Sequence, residues 1–335
     1  MNTTATEALF WMNGRLATGV EEISHDPSSL ENDGFWAVQV DYEGHWTLVK
    51  FSDVRKQPFP ETSWKPVKSS WSSSHTKDEY IGYVGRLKDA IARGDVYQVN
   101  ACRILSTTHD ASLTGLFHHL LAKNPAPYAS FFSVDDKEIA SASPELFLSL
   151  KSTPEGIRVV SSPIKGTAKT PEFGEKDQSE NVMIVDLIRN DLSRICAEGT
   201  VDVSRLLGIE EHPGLFHLVS DVTGILKETF LWRDFSKAVF PAGSISGAPK
   251  SSAVNLISQN EKERGPYCGI LGWIEKRGST LEGVLSVAIR TFWREGKEMH
   301  FGTGAGITWG SDPAKEWEET ELKARRLMAI ANGGL

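Results

Sequence analysis

Between Val182 and Ile188, apolar side chains fall on nearly every face of a segment that otherwise reads as helical, and no other feature limits the fold as strongly. A helix that is apolar on more than one side must be packed on more than one side. Glu180 stands at its entrance, and a carboxylate there stays ionised only if it is paired or bound to a metal ion. Upstream, the apolar run Ile157 to Val160 ends in Ser162-Pro163-Ile164-Lys165-Gly166-Thr167. A lysine held between a proline and a glycine is expected on a short constrained turn, not on a mobile arm. Lys165 and Glu180 are therefore the first functional candidates.

The rest of the chain mixes strands and helices. Residues 1–75 alternate strand-like runs (Phe35 to Val40, Trp46 to Phe51) with turn signals such as Asn32-Asp33-Gly34, and Ser69 to Ser74 reads as a connecting loop. Five tryptophans in this part, Trp11, Trp36, Trp46, Trp64 and Trp71, are expected in the core with hydrogen-bonded edges. Thr76 and Glu79 form a capping-box pattern for a helix that Gly94 ends. Strands are expected from Val96 to Leu105 and Ala129 to Ser133, with a helix from Leu113 to Lys123 between them. Glu138 to Ser143 and Leu146 to Lys151 read as a hairpin, interrupted by Ser143-Pro144-Glu145. A proline breaks a ladder, and such interruptions aim side chains, which makes Glu145 a candidate. Gly269 to Glu275, Leu285 to Trp293 and Glu298 to Phe301 read as neighbouring antiparallel strands. Asp312 and Pro313 open a last helix that runs to about Ala331.

Composition narrows the function classes. A formal charge of −8 argues against nucleic acid as the main partner, so an anionic substrate would need a local cluster of cations. Cys102, Cys196 and Cys268 match no metal or redox spacing. No apolar run spans a bilayer, and the polar start lacks the regions of a signal peptide, so a cytoplasmic protein without a membrane partner is expected.

Several segments, in order, resemble the chorismate-utilising enzymes. They are Pro163-Ile164-Lys165-Gly166-Thr167, Glu180-Asn181, Arg189-Asn190-Asp191-Leu192, His217-Leu218-Val219-Ser220, Ser246-Gly247-Ala248-Pro249-Lys250, Ala288-Ile289-Arg290-Thr291 and Gly304-Ala305-Gly306-Ile307. The resemblance runs from about Thr76 to the C-terminus. It implies one α+β catalytic domain over residues 1–335, with two large antiparallel sheets packed face to face, helices outside and the site in a cleft. Residues 1–75 would be a shortened N-terminal part of that sheet structure, whose tryptophan pocket is expected to be degenerate or absent.

The same resemblance implies site roles. Spacing alone makes Glu316, Glu319 and Lys323 a solvated helix face with an ordinary ion pair. By resemblance, Glu316 and Glu319 would join Glu180 in holding Mg²⁺, directly or through water, and oxygen-only ligands suit that ion. Glu145 would be the general acid and Lys165 the nucleophile, adding at C2 of chorismate as the C4 hydroxyl leaves. Ammonia would then add at C4. His217 would orient or act electrostatically, and Thr167 would hydrogen-bond substrate. Arg290, Lys323 and backbone amides around Ser246, Gly247, Gly304, Ala305 and Gly306 would neutralise the dicarboxylate; read bare, the alternating glycines equally suit a weakened strand end. No cysteine lies in a glutaminase context, so ammonia would come from solution or a separate glutamine amidotransferase.

Rival members make anthranilate or isochorismate. The first typically carry a small residue at the Lys165 position, and the second a lysine where this chain has Asn100. A non-catalytic regulatory subunit would have lost an acid or a metal ligand, and all four glutamates are present. Ala242 and Ser246 stand where the family usually has glycine and threonine.

Overall fold

A computed structural model describes residues 8–168, 170–212 and 215–334. In chain order, β1 (Ala8–Met12), β2 (Arg15–Ser24), β3 (Gly34–Val40), β4 (Trp46–Lys56) and the two-residue β5 (Ser72–Ser73) precede α1 (Lys77–Arg93) and β6 (Gln98–Thr108). Then come α2 (Thr114–Lys123), β7 (Tyr128–Val134), β8 (Lys137–Ser143), β9 (Leu146–Thr153), β10 (Gly156–Ser162), β11 (Ile164–Ala168) and α3 (Glu175–Ile195). β12 (Asp202–His212), β13 (Leu215–Ile225), α4 (Trp232–Val239), the one-turn α5 (Gly243–Ser246), β14 (Gly247–Ala248) and α6 (Lys250–Asn260) follow. β15 (Ile270–Arg277), β16 (Thr280–Val287), β17 (Thr291–Glu295), β18 (Glu298–Ile307) and α7 (Pro313–Ala331) complete the chain.

All the strands join in one antiparallel ladder. From one end it runs β6, β18, β17, β8, β7, β1, β2, β4, β3, β15, β16, β9, β10, β13, with β5 and β14 flanking β6 and with β11 and β12 both on β13. The two ends close on each other. A Cβ built at Gly306 in β18 would lie 4.0 Å from Nζ of Lys165 in β11, so the ladder doubles into two packed layers with the cleft where its ends meet. Val99 and Ala101 from one layer share a core with Leu148, Leu150, Ile270 and Leu271 from the other. A second cluster lies under α2 and α7, where Phe117, Leu120 and Leu327 pack near Phe131 and Phe301.

Local signals act as elementary chemistry requires. Thr76 and Glu79 form the reciprocal capping box, and Gly94 at φ 82° closes α1. Asp312 accepts from the Ala314 and Lys315 amides at the start of α7. Trp36 is fully buried, and the indoles of Trp11, Trp46, Trp64 and Trp71 donate to Gln57, Ser236, Ala331 and Asn332. Among the described residues no helix is long and apolar enough to cross a membrane.

Four expectations change. β8 and β9 are not a hairpin: β8 pairs with β7 and β17, whereas β9 pairs with β10 and β16. The run Leu285 to Trp293 is likewise two strands, β16 and β17, in different stretches of the ladder. At both breaks the chain passes from one layer to the other, a long-range event that hydrophobic alternation does not report. The Ser69 to Ser74 segment contains β5, which pairs with β6. α3 begins at Glu175, so Glu180 sits in its second turn, and Val182 is 45% exposed beside Leu206 at 52%. One face of that apolar helix lines an open groove against β12.

Candidate active site

Lys165 sits in a strand, not a turn. Ile164 pairs with Val219 and Thr167 with His217, which leaves one extra residue in β11. Gly166 at φ 87° takes up the resulting bulge, and a Cβ there would meet the Phe173 ring at 2.9 Å. Bulges of this kind re-aim side chains. The Lys165 amine points across the cleft and donates to the Ser244 carbonyl at 3.1 Å. Burial lowers its pKa; Glu145 and Glu180 oppose that, Lys323 reinforces it, and Glu319 opposes it. These four groups therefore surround the amine.

Glu145 and Arg290 occupy the two layer crossings. The crossings run side by side: Val287 N–H donates to the Glu145 carbonyl at 3.1 Å, and Ala142 N–H to the Arg290 carbonyl at 3.1 Å. Arg290 has φ 52°, a left-handed conformation that bulky residues rarely adopt and that is found where tertiary structure imposes it. Glu145 is 4% exposed, and burial pushes its carboxyl above the usual carboxylate range. Hydrogen bonding from Ser244, the charge of Lys165, the Ile164 amide and Arg290 pull it partly back. Ser244 thus contacts both reactive candidates, through its carbonyl and its side chain. A buried acid and a depressed amine on one shared partner suit proton donation and nucleophilic attack within one site.

Glu180 and Glu319 both act on the Lys165 amine, while Glu316 is buried on the inner face of α7. Lys323 pairs with Glu319 at 2.6 Å and donates to the Gly304 carbonyl at 3.1 Å, so it ties α7 to β18 at the cleft. Among the described residues no three His, Cys, Asp or Glu side chains stand close enough together to cage a metal ion. The three glutamates nevertheless supply only oxygen donors, and Mg²⁺ needs few protein carboxylates because it keeps several waters. Their chemistry fits such an ion without a closed cage. His217 is 1% exposed on β13, opposite Thr167 in register. The Thr167 side chain lies outside the described residues.

The loop and the glycines divide by role. Ser246 is buried and donates to the Ala242 carbonyl at 2.9 Å, and a Cβ at Gly247 would strike the Gln98 carbonyl at 2.2 Å. Both serve the close contact of β14 with β6. Gly302 and Gly304 admit Tyr267 and Cys102, whereas Gly306 faces Gln98 and Lys165; β18 pairs with β6 without a bulge, and Ala305 is buried on its other side. Other residues of the recurring segments act as braces. Asn181 is bonded to the Leu218 carbonyl at 3.2 Å and to the Ser220 hydroxyl at 2.5 Å, fixing α3 to β13. Lys250 donates to Asp191 at 2.6 Å and to the Val239 carbonyl at 3.2 Å. Asn100 turns its side chain to Cys102 at 3.3 Å. Sequence reading missed Ser244 and Gln98. The only available signal was their place inside segments already singled out.

Residues 34–329 match the family described as chorismate binding enzyme. The chain is 37% identical over 278 residues to anthranilate synthase component 1 of Aquifex aeolicus, covering 79% of this chain and 55% of that protein. It is 31% identical over 315 residues to aminodeoxychorismate synthase component 1 of Escherichia coli, covering 88% and 68%. It therefore spans about half the length of the anthranilate synthase relative. The crystal structure of anthranilate synthase component I from Streptococcus pneumoniae superposes with a TM-score of 0.77 at 24% identity, over 96% of this chain and 90% of that one. The α+β architecture is that of this structure.

Proposed function

Since the chain belongs to the chorismate-binding enzymes, we propose that it is an aminodeoxychorismate synthase component I, which aminates chorismate at C4 on the way to p-aminobenzoate and folate. The observation that carries this reading is the depressed, inward-facing amine of Lys165 on the same residue, Ser244, as the buried acid Glu145. A neutral amine is a nucleophile and a protonated one is not. Lys165 adds at C2 of chorismate, both ring double bonds shift by one position, and the C4 hydroxyl departs with a proton from Glu145. Ammonia then adds at C4 and expels the lysine, giving 4-amino-4-deoxychorismate. Arg290 and Lys323 offset the substrate's carboxylates, with His217, Thr167 and the amides near Gly247 and Gly304 to Gly306 orienting it. Mg²⁺ would be held by Glu180, Glu316 and Glu319, directly or through water, and would supply positive charge for the ring carboxylate. A separate glutamine amidotransferase would deliver the ammonia, in line with the component 1 names of the relatives.

The second reading is anthranilate formation, which the higher identity to anthranilate synthase component 1 favours. Chromatography of products after incubation with chorismate, Mg²⁺ and an ammonium salt separates the two. p-Aminobenzoate that appears only when aminodeoxychorismate lyase is added supports the C4 reading. Anthranilate as the main product overturns it.

A further inference from the structure

The Gln98 carboxamide is 1% exposed, and its Oε1 is buried without a hydrogen-bond partner. Such a group costs stability unless something pairs with it. The Lys165 amine lies close by, across Gly306. A Cβ at Gly306 would lie 2.6 Å from Gln98 Nε2 and 4.0 Å from Lys165 Nζ, so the glycine leaves the space between carboxamide and amine open. Rotation about the terminal carboxamide torsion is soft and two-fold, and it exchanges the oxygen with the nitrogen.

A neutral primary amine has two N–H groups and one lone pair. The Ser244 carbonyl takes one N–H. With the second unheld, inversion at nitrogen lets that N–H and the lone pair exchange their two positions. We propose that Gln98 is a positioning residue: its carboxamide oxygen accepts the second N–H of Lys165, and with the Ser244 carbonyl it aims the lone pair at the substrate. This rests on Lys165 being the nucleophile.

The test compares Gln98→Met, Gln98→Glu and Lys165→Ala with the unaltered chain under saturating ammonium. Gln98→Met removes the acceptor at similar volume, and kcat is expected to fall about 30-fold with KM for chorismate within about twofold. Gln98→Glu keeps an acceptor and restores most of kcat. Its added negative charge favours the protonated amine, so the rising limb of the kcat–pH profile moves to higher pH, while Glu145, Glu180, Lys323 and Glu319 are unchanged. An unaltered kcat in Gln98→Met, or a loss seen only in melting temperature, overturns the assignment. If Gln98→Met does not fold, an unshifted limb in Gln98→Glu overturns it equally. Full turnover by Lys165→Ala would remove the nucleophile reading itself. An inactive Lys165→Ala beside a normal Gln98→Met would sink the Gln98 role alone.

Discussion

Lys165 and Lys250 each stand near a buried carboxylate, and in both places burial lowers the amine and raises the acid. Their geometry differs. Lys250 closes directly on Asp191 at 2.6 Å and spends another N–H on the Val239 carbonyl. Lys165 bonds to the Ser244 carbonyl, and the Ser244 side chain bonds to Glu145. One residue thus stands between base and acid. A closed ion pair neutralises itself and braces α3 against α6; a separated pair keeps both partners available for a substrate. Burial lowers both amines, and only Lys250 closes directly on its counter-charge.

The largest effect should come from Lys165→Ala, on the order of 10⁴-fold in the rate of 4-amino-4-deoxychorismate formation, because the variant lacks the proposed nucleophile. Glu145→Gln keeps the shape and removes the proton, and should lower kcat by about 10²- to 10³-fold at the pH optimum, with the deficit narrowing at alkaline pH where the parent's Glu145 has lost its own proton. Both are read by the lyase-coupled product assay, and comparable activity in either variant would place the chemistry elsewhere.

Stability should separate the pairs in the opposite sense. Lys250→Met leaves the Asp191 carboxylate buried without its cation and should destabilise the fold by about 3 kcal/mol in urea denaturation. Adding Asp191→Leu should recover most of that. Lys165 has a folded-state pKa below its ordinary 10.5, so it costs stability as pH falls below that value. Glu145, raised above 4.5, costs stability as pH rises through its folded pKa. Lys165→Met should therefore melt at the same temperature as the parent or higher at pH 7. A large drop there would mean that Lys165 is a brace like Lys250.

The smallest signal is in the shape of the pH profile. Activity should rise as Lys165 loses its proton and fall as Glu145 loses its own, and the lowered amine and raised acid bring the two limbs toward each other. Glu145→Gln should abolish the alkaline limb and leave the acid one.

Much of this was legible without coordinates. The capping box at Thr76, the αL stop at Gly94 and the cap at Asp312 are local patterns whose partners lie within a few residues. Lys165, Glu145 and Arg290 were also legible as candidates, from segments that stand in the order of a known family. The hairpin expected around Pro144 was not observed, because strand alternation shows that a segment is extended and not which strand it will meet. The same limit hid the break at Ala288 to Arg290.

What the sequence by itself determined is the set of elements and the residues able to do chemistry, since capping, alternation and side-chain type act over short distances. Tertiary structure alone decided which of two buried lysines stays open. That outcome depends on Ser244, 79 residues from Lys165, reaching the bulge of β11. It also depends on two neighbouring crossings that deliver Glu145 and Arg290 to one cleft. These are contacts between distant segments, fixed by how the ladder doubles back and by the burial that doubling imposes.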